Sequence, residues 1–210
     1  MRHILLVISF LLLLVTGYAQ EDRTAVLMAS YFKVMPGQKT FPVFLQTLTK
    51  DPAFTTDTVI NRTDTSLFYL RGYYTAFSPF SFPAKQIEVQ LREISLLNEK
   101  KVPVDTLLVY QLIGYSDSTW RGREKVVAAF KKMSGDFRAV LNHVVYKRNP
   151  TGMGESNFFY RTRNSISLQG GTSGAIDIPE SFCDTHITWG KSYKNNDYVL
   201  SLVYYLRVEH

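Results

Sequence analysis

The chain opens with a segment built to be taken out of the fold. Met1-Arg2-His3 supplies positive charge, an apolar run interrupted only by Ser9 follows over 4–15, and Gly17-Tyr18-Ala19 leads into the polar Gln20-Glu21-Asp22-Arg23. A basic start, an apolar stretch and small residues before a polar break are the parts of a secretory signal peptide. The run falls short of the roughly 20 apolar residues that a membrane span requires. No basic stop-transfer cluster follows it, and no cysteine follows it to carry a lipid anchor. The reading is therefore a signal peptide over 1–19, cleaved after Ala19, and a single exported α+β domain over 20–210.

Export sharpens the meaning of the cysteine count. Cys183 stands alone, so the exported chain has no internal disulfide and must be held together by packing. It has the material: 45% of its residues are apolar and 20% charged, close to an ordinary globular domain. Aromatic residues make up 14%, with 13 Tyr and 14 Phe, and such residues favour pleated, half-buried surfaces. The formal charge of +6 suits a weak approach to an anionic surface but does not point to nucleic acid. The lack of a disulfide framework fits a bacterial envelope, so a periplasmic or cell-surface location is expected. Asn61-Arg62-Thr63 matches the glycosylation pattern, which has no meaning in a typical bacterium.

Residues 24–34 read as a short helix or a strand, broken by Pro36-Gly37. Thr40 reads as an N-cap, and Phe41, Phe44, Leu45 and Leu48 make the stripe of a helix packed on one face, stopped by Asp51-Pro52. The Thr- and Asp-rich 55–66 reads mostly as loop. Residues 67–77 predict a strand whose odd positions share a face, and Ile87, Val89 and Leu91 alternate with Glu88, Gln90 and Arg92 in a half-exposed one. A charged turn at 98–102 precedes a more apolar strand over 105–115. A helix over 119–133 follows, capped by Asp117 or Ser118, with Trp120, Val126, Val127, Phe130 and Met133 on its buried side and Ser134-Gly135-Asp136 ending it. Further strands are expected at 137–148, 157–168, 185–193 and 197–208, with a turn at Asn149-Pro150-Thr151-Gly152. The last strand is apolar on both faces and should lie centrally. The expected fold is one α+β domain with a mainly antiparallel sheet of about six or seven strands and two packed amphipathic helices.

Candidate chemistry is sparse. Cys183-Asp184-Thr185-His186 could bring a thiol near an imidazole, and His143 could act as a base, but no nucleophile signature surrounds the cysteine. No zinc or calcium spacing occurs, and Gln169-Gly-Gly-Thr-Ser-Gly174 lacks the lysine and the setting of a phosphate loop. No metal and no cofactor is expected. Glu88, Glu93, Asp105, Asp117, Asp177 and Glu180 are free to pair as glycosidase carboxylates, with nothing to single out two of them. Two features read as candidate binding surfaces. One is aromatic: Phe68, Tyr69, Tyr73, Tyr74, Phe77, Phe80 and Phe82, of which Tyr73, Tyr74, Phe77, Phe80 and Phe82 are the best ligand contacts. The other is basic: Arg161 and Arg163 on one strand face, with Lys147-Arg148 opposite.

Leu112-Ile-Gly-Tyr-Ser-Asp-Ser118, ahead of a helix, resembles the Gly-aromatic-Thr-Asp-Ser element of OmpA-like peptidoglycan-binding domains. The resemblance implies that Asp117 would meet a diaminopimelate group. It covers seven residues and ends where Trp120-Arg-Gly-Arg-Glu-Lys125 replaces the helix signature of that family. The functional expectation is an exported, non-enzymatic cell-envelope protein that binds a protein partner or a cell-wall or glycan component, with contact to a membrane surface open and nucleic acid set aside. The alternatives are a small secreted hydrolase with an unrecognised site and a small outer-membrane β-barrel.

Overall fold

The computed structural model describes residues 23, 25–35, 40–75, 77–97, 103–141, 143–148, 154–160 and 185–207. Eight strands among them pair throughout in antiparallel fashion: β1 (Phe54–Ile60), β2 (Tyr69–Tyr74), β3 (Gln86–Leu97), β4 (Pro103–Tyr115), β5 (His143–Arg148), β6 (Glu155–Tyr160), β7 (Thr185–Lys191) and β8 (Tyr198–Arg207). Their order in the sheet is β1-β2-β3-β4-β8-β7-β6-β5. The helices are α1 (25–31), α2 (Phe41–Thr49) and α3 (Trp120–Arg138). The fold is thus a single α+β domain, as expected, with one strand and one helix more than the sequence reading gives.

Side chains alternate across a strand, so register decides which residues form the core. One row runs Leu70, Leu91, Tyr110, Tyr204, Thr185 and Phe159 from β2 to β6, and the next runs Gly72, Val89, Leu112, Leu202, Ile187 and Asn157. All of these are buried, and the helices pack against them. Tyr110 is fully buried, with Phe32 4.6 Å and Phe44 5.4 Å from its ring centroid. Farther along, Phe137 of α3 sits 5.3 Å from Phe159, and the Asn157 side-chain amide donates to Ser134 at 2.8 Å. Tyr31 clips α1 to α3 by donating to Asp136 at 2.7 Å. Strand β8 lies between β4 and β7, the central place its two apolar faces require. Leu107, Val109 and Val203, which point away from the helices, are buried as well.

Several local features depart from the sequence reading. Residues 54–60 form edge strand β1 where a loop is expected: Thr55, Thr56, Thr58, Val59 and Ile60 are β-branched, but the edge leaves most of them exposed and erases the alternation. Residues 25–31 settle as helix, burying Met28 and Tyr31. Helix α3 continues through Gly135 to Arg138 because Phe137 extends its buried stripe and sits in the core. Thr119 caps it, accepting from Gly122 N–H at 3.1 Å, in place of Asp117 or Ser118. Trp120, expected on the buried stripe, is 64% exposed. The signal segment, Pro36-Gly37 and the turns at 98–102 and 149–152 lie outside the described residues.

Two glycines separate crowding from freedom. The stacked rings of Phe80 and Phe82 cover Gly114, and a Cβ there would overlap the Phe80 ring. A Cβ on Gly135 would meet nothing within 4 Å. Gly114→Ala should lose about 1–3 kcal/mol in urea unfolding through overpacking. Gly135→Ala should gain about 0.5–1 kcal/mol through helix propensity. A neutral Gly114→Ala would mean that the Phe80 plug is loose.

Candidate functional site

On the sheet face away from the helices, two polar side chains are buried almost completely, Glu88 of β3 and Ser201 of β8. Glu88 is 4% exposed. Its register neighbours are Tyr73 of β2 on one side and Ile113 of β4 on the other, and Tyr115 stands diagonally across on β4. The Tyr115 hydroxyl donates to Glu88 Oε2 at 3.0 Å, and the Gln90 amide donates to Oε1 at 2.5 Å. Both oxygens are thereby satisfied by neutral donors rather than by a cation, as a polar group taken out of water requires.

The cluster continues on both sides. Gln90 pairs in register with Arg71 and with Gln111, whose amide donates to Ser201 at 2.8 Å. Arg71 is held by Asp57 of β1, with its Nε 2.7 Å from Oδ2. The Thr58 hydroxyl and then Arg71 hydrogen-bond the Asp57 carboxylate and lower its pKa. Half-buried Tyr69, Tyr73 and Tyr115 line this face. Burial first, and then the charge of Glu88, pushes the Tyr73 and Tyr115 phenols above their ordinary range, so both stay protonated as donors. The arrangement offers flat rings between amide, guanidinium and hydroxyl groups, a surface for stacking and hydrogen bonding.

His186 of β7 continues the Arg71–Gln90–Gln111 row across β8 through Val203. Burial lowers its pKa to about 4, which keeps the imidazole neutral near pH 7.

The aromatic candidates do not share one surface. Tyr74 is buried on the helix-covered face, Phe77 is half-buried beside it at 5.2 Å, and Phe80 and Phe82 are 6% and 4% exposed, packed over Gly114. Tyr73 alone of the five lies on the opposite face, next to Glu88. Arg161, Arg163, Cys183, Asp184, Asp177, Glu180 and the stretch 169–174 lie outside the described residues.

The carboxylates with described side chains do not pair. Glu93 points to the face opposite Glu88, where it accepts from Phe68 N–H at 3.0 Å and meets Arg62 at 3.7 Å. Asp117 is occupied in the turn before α3, accepting from Thr119 N–H at 2.9 Å and from the Thr119 hydroxyl. Among the described residues no three His, Cys, Asp or Glu side chains are placed to hold a metal ion. A shallow depression of about 420 Å³ lies elsewhere, lined by Val34, Gln46, Thr47, Lys50 and Asp51, and its Asp51 is taken by Lys33 at 2.7 Å.

Sequence reading names Glu88 as one of six acidic residues and passes over Gln90, Gln111 and Tyr115. The available signal is the repeat Glu88-x-Gln90, hydrogen-bonding side chains on one face of an alternating strand.

Two measurements probe this face. Tyr115→Phe removes a donor from a buried carboxyl group and should cost about 1.5–3 kcal/mol in urea unfolding; no change would mean that water replaces the phenol. The unfolded chain takes up a proton on His186 below about pH 6.5 that the folded state resists until about pH 4. Stability is therefore fully present above that window and falls as the pH drops through it, by about 2 kcal/mol between pH 7 and pH 5. His186→Gln should flatten that decline, and an unchanged pH profile would contradict the burial. Compared with protein-family models, with curated proteins and with solved structures, the chain matches none of them.

Proposed function

We propose that the chain is an exported, non-enzymatic cell-envelope protein that binds a hydroxyl-rich cell-wall glycan on the face of β2, β3 and β4 away from the helices. The observation that carries this reading is the cluster of Tyr73, Glu88, Gln90 and Tyr115. A sugar ring presents apolar C–H faces and hydroxyl edges, and it is met by aromatic faces bordered by planar hydrogen-bonding groups. Tyr69, Tyr73 and Tyr115 offer the rings; Gln90, Arg71 and Gln111 offer the edges. Glu88 is the organiser: too deeply set to be the main contact, it fixes Tyr115 and Gln90 in place. Preorganisation of this kind lowers the ordering cost of binding.

The test uses the chain from Gln20 onward, which holds every described residue, in co-sedimentation with insoluble peptidoglycan and calorimetric titration with soluble glycan fragments. Saturable binding is expected. Tyr73→Ala should weaken it at least tenfold with the melting temperature within about 2 °C of the parent, because a half-buried ring on a solvated face contributes little to the core. Glu88→Gln should weaken it too, through the positions of Tyr115 and Gln90. A folded chain that binds no glycan, or a Tyr73→Ala variant that binds as well as the parent, would rule the reading out.

A further inference from the structure

The two most exposed aromatic side chains among the described residues lie at the same end of the molecule. Trp120, at the first position of α3, is 64% exposed, and Tyr193, in the turn between β7 and β8, is fully exposed. The chain is sewn together between them. Ser116 N–H donates to Tyr198 C=O at 2.8 Å, and Tyr198 N–H donates to Asp117 C=O at 3.4 Å, so the approach to α3 runs against the start of β8.

Cations surround these rings. Arg121, Arg123 and Lys125 outnumber the single acidic Glu124 over the first two turns of α3, and Lys191 and Lys194 flank Tyr193. Arg123 lies over two indoles, 4.8 Å from the Trp120 ring centroid and 5.3 Å from that of buried Trp189, which props Trp120 at the surface. Lys191 Nζ stands 5.9 Å from the Tyr198 ring. Thr119 caps the helix by accepting from Gly122 N–H, and the formal positive charge at this end is carried by the side chains.

We propose that this end of the protein, built from the start of α3 and the β7–β8 turn, rests on the surface of an anionic lipid bilayer with Trp120 and Tyr193 at headgroup depth. Exposed Trp and Tyr ringed by Arg and Lys is the composition that membrane–water interfaces select, with the rings in the headgroup layer and the cations over anionic lipid. A single small anion would be held by buried donors, whereas here the groups are exposed and spread over two elements, as an extended anionic surface requires. Among the described residues no helix is long and apolar enough to cross a membrane, which is in keeping with a peripheral contact. This contact lies at the end of the sheet and does not depend on the glycan reading.

The experiment is flotation of the chain from Gln20 onward with vesicles of equal parts phosphatidylglycerol and phosphatidylcholine, beside vesicles of phosphatidylcholine alone. Binding to the anionic vesicles is expected, weakening as salt is raised. A blue shift of tryptophan emission should accompany it and should disappear in Trp120→Phe, since Trp189 is already buried. Arg121→Gln and Lys125→Gln should each weaken binding roughly fivefold, and Trp120→Ala with Tyr193→Ala should weaken it at least tenfold. All four positions are solvent-exposed, so the melting temperature should stay within about 2 °C and report intact folding. Equal binding to both vesicle types, no binding by the folded parent, or variants that float like the parent would each overturn the proposal. Inorganic phosphate alone producing the emission shift would overturn it in favour of a small-anion site. Capture by polyglutamate without vesicle binding would overturn it in favour of an acidic protein.

Discussion

Docking of α1 and α2 on the sheet converges on the ring of Tyr110. It is fully buried at the middle of β4, between Leu91 and Tyr204 in register, and both Phe32, just after α1, and Phe44 of α2 seat against it. Helices as short as α1 and α2 are marginal on their own, because a single nucleated turn recovers too few hydrogen bonds to offset its entropy. Their existence in this fold is a consequence of the surface beneath them. With no disulfide within a chain that has one cysteine, this aromatic lattice has to supply cohesion without covalent cross-links. Burial pushes the Tyr110 phenol well above its ordinary range, so the centre of the core carries no charge at any ordinary pH.

The strongest sequence patterns map directly onto the sheet. Ile87, Val89 and Leu91 alternate with polar residues because one face of β3 packs under the helices, and Leu200, Leu202 and Tyr204 alternate with the equally buried Ser201 and Val203 because β8 is enclosed on both sides. Phe44 and Leu48 reveal the buried side of α2 by simple helical spacing. Features decided by position in the sheet, rather than by local pattern, escape notice. Strand β1 has suitable β-branched residues, but as an edge it buries chiefly Phe54 and so shows no period. The end of α3 is misplaced because Gly135 looks like a stop signal, although Phe137 two residues later finds a pocket against Phe159.

The candidate face was less legible for a related reason. Glu88 sits in a strand that reads as half-exposed, and nothing local distinguishes its carboxyl group from that of any solvated glutamate. Its burial comes from Tyr73 on the preceding strand and from Tyr115, 27 residues later in the chain. The aromatic residues of 68–82 look like one feature in the sequence, yet the pleat sends Tyr73 to one face and Tyr74 to the other, and the loop after β2 folds Phe80 and Phe82 back onto Gly114. Sequence proximity grouped residues that the sheet separates, while the actual cluster is assembled from three strands.

The place of β8 also sets an order of events in the life of the chain. Among the described strands it comes last in the sequence, yet it alone joins β1 through β4 to β5 through β7. Until residues 198–207 are available, the two halves of the sheet have open inner edges, and Leu112 and Ile187 lack the Leu202 that lies between them. Such a topology depends on pairings far apart in sequence and is slow to form. A nascent chain of this kind stays unfinished until β8 has been made, because neither half of the sheet can close its inner edge before then.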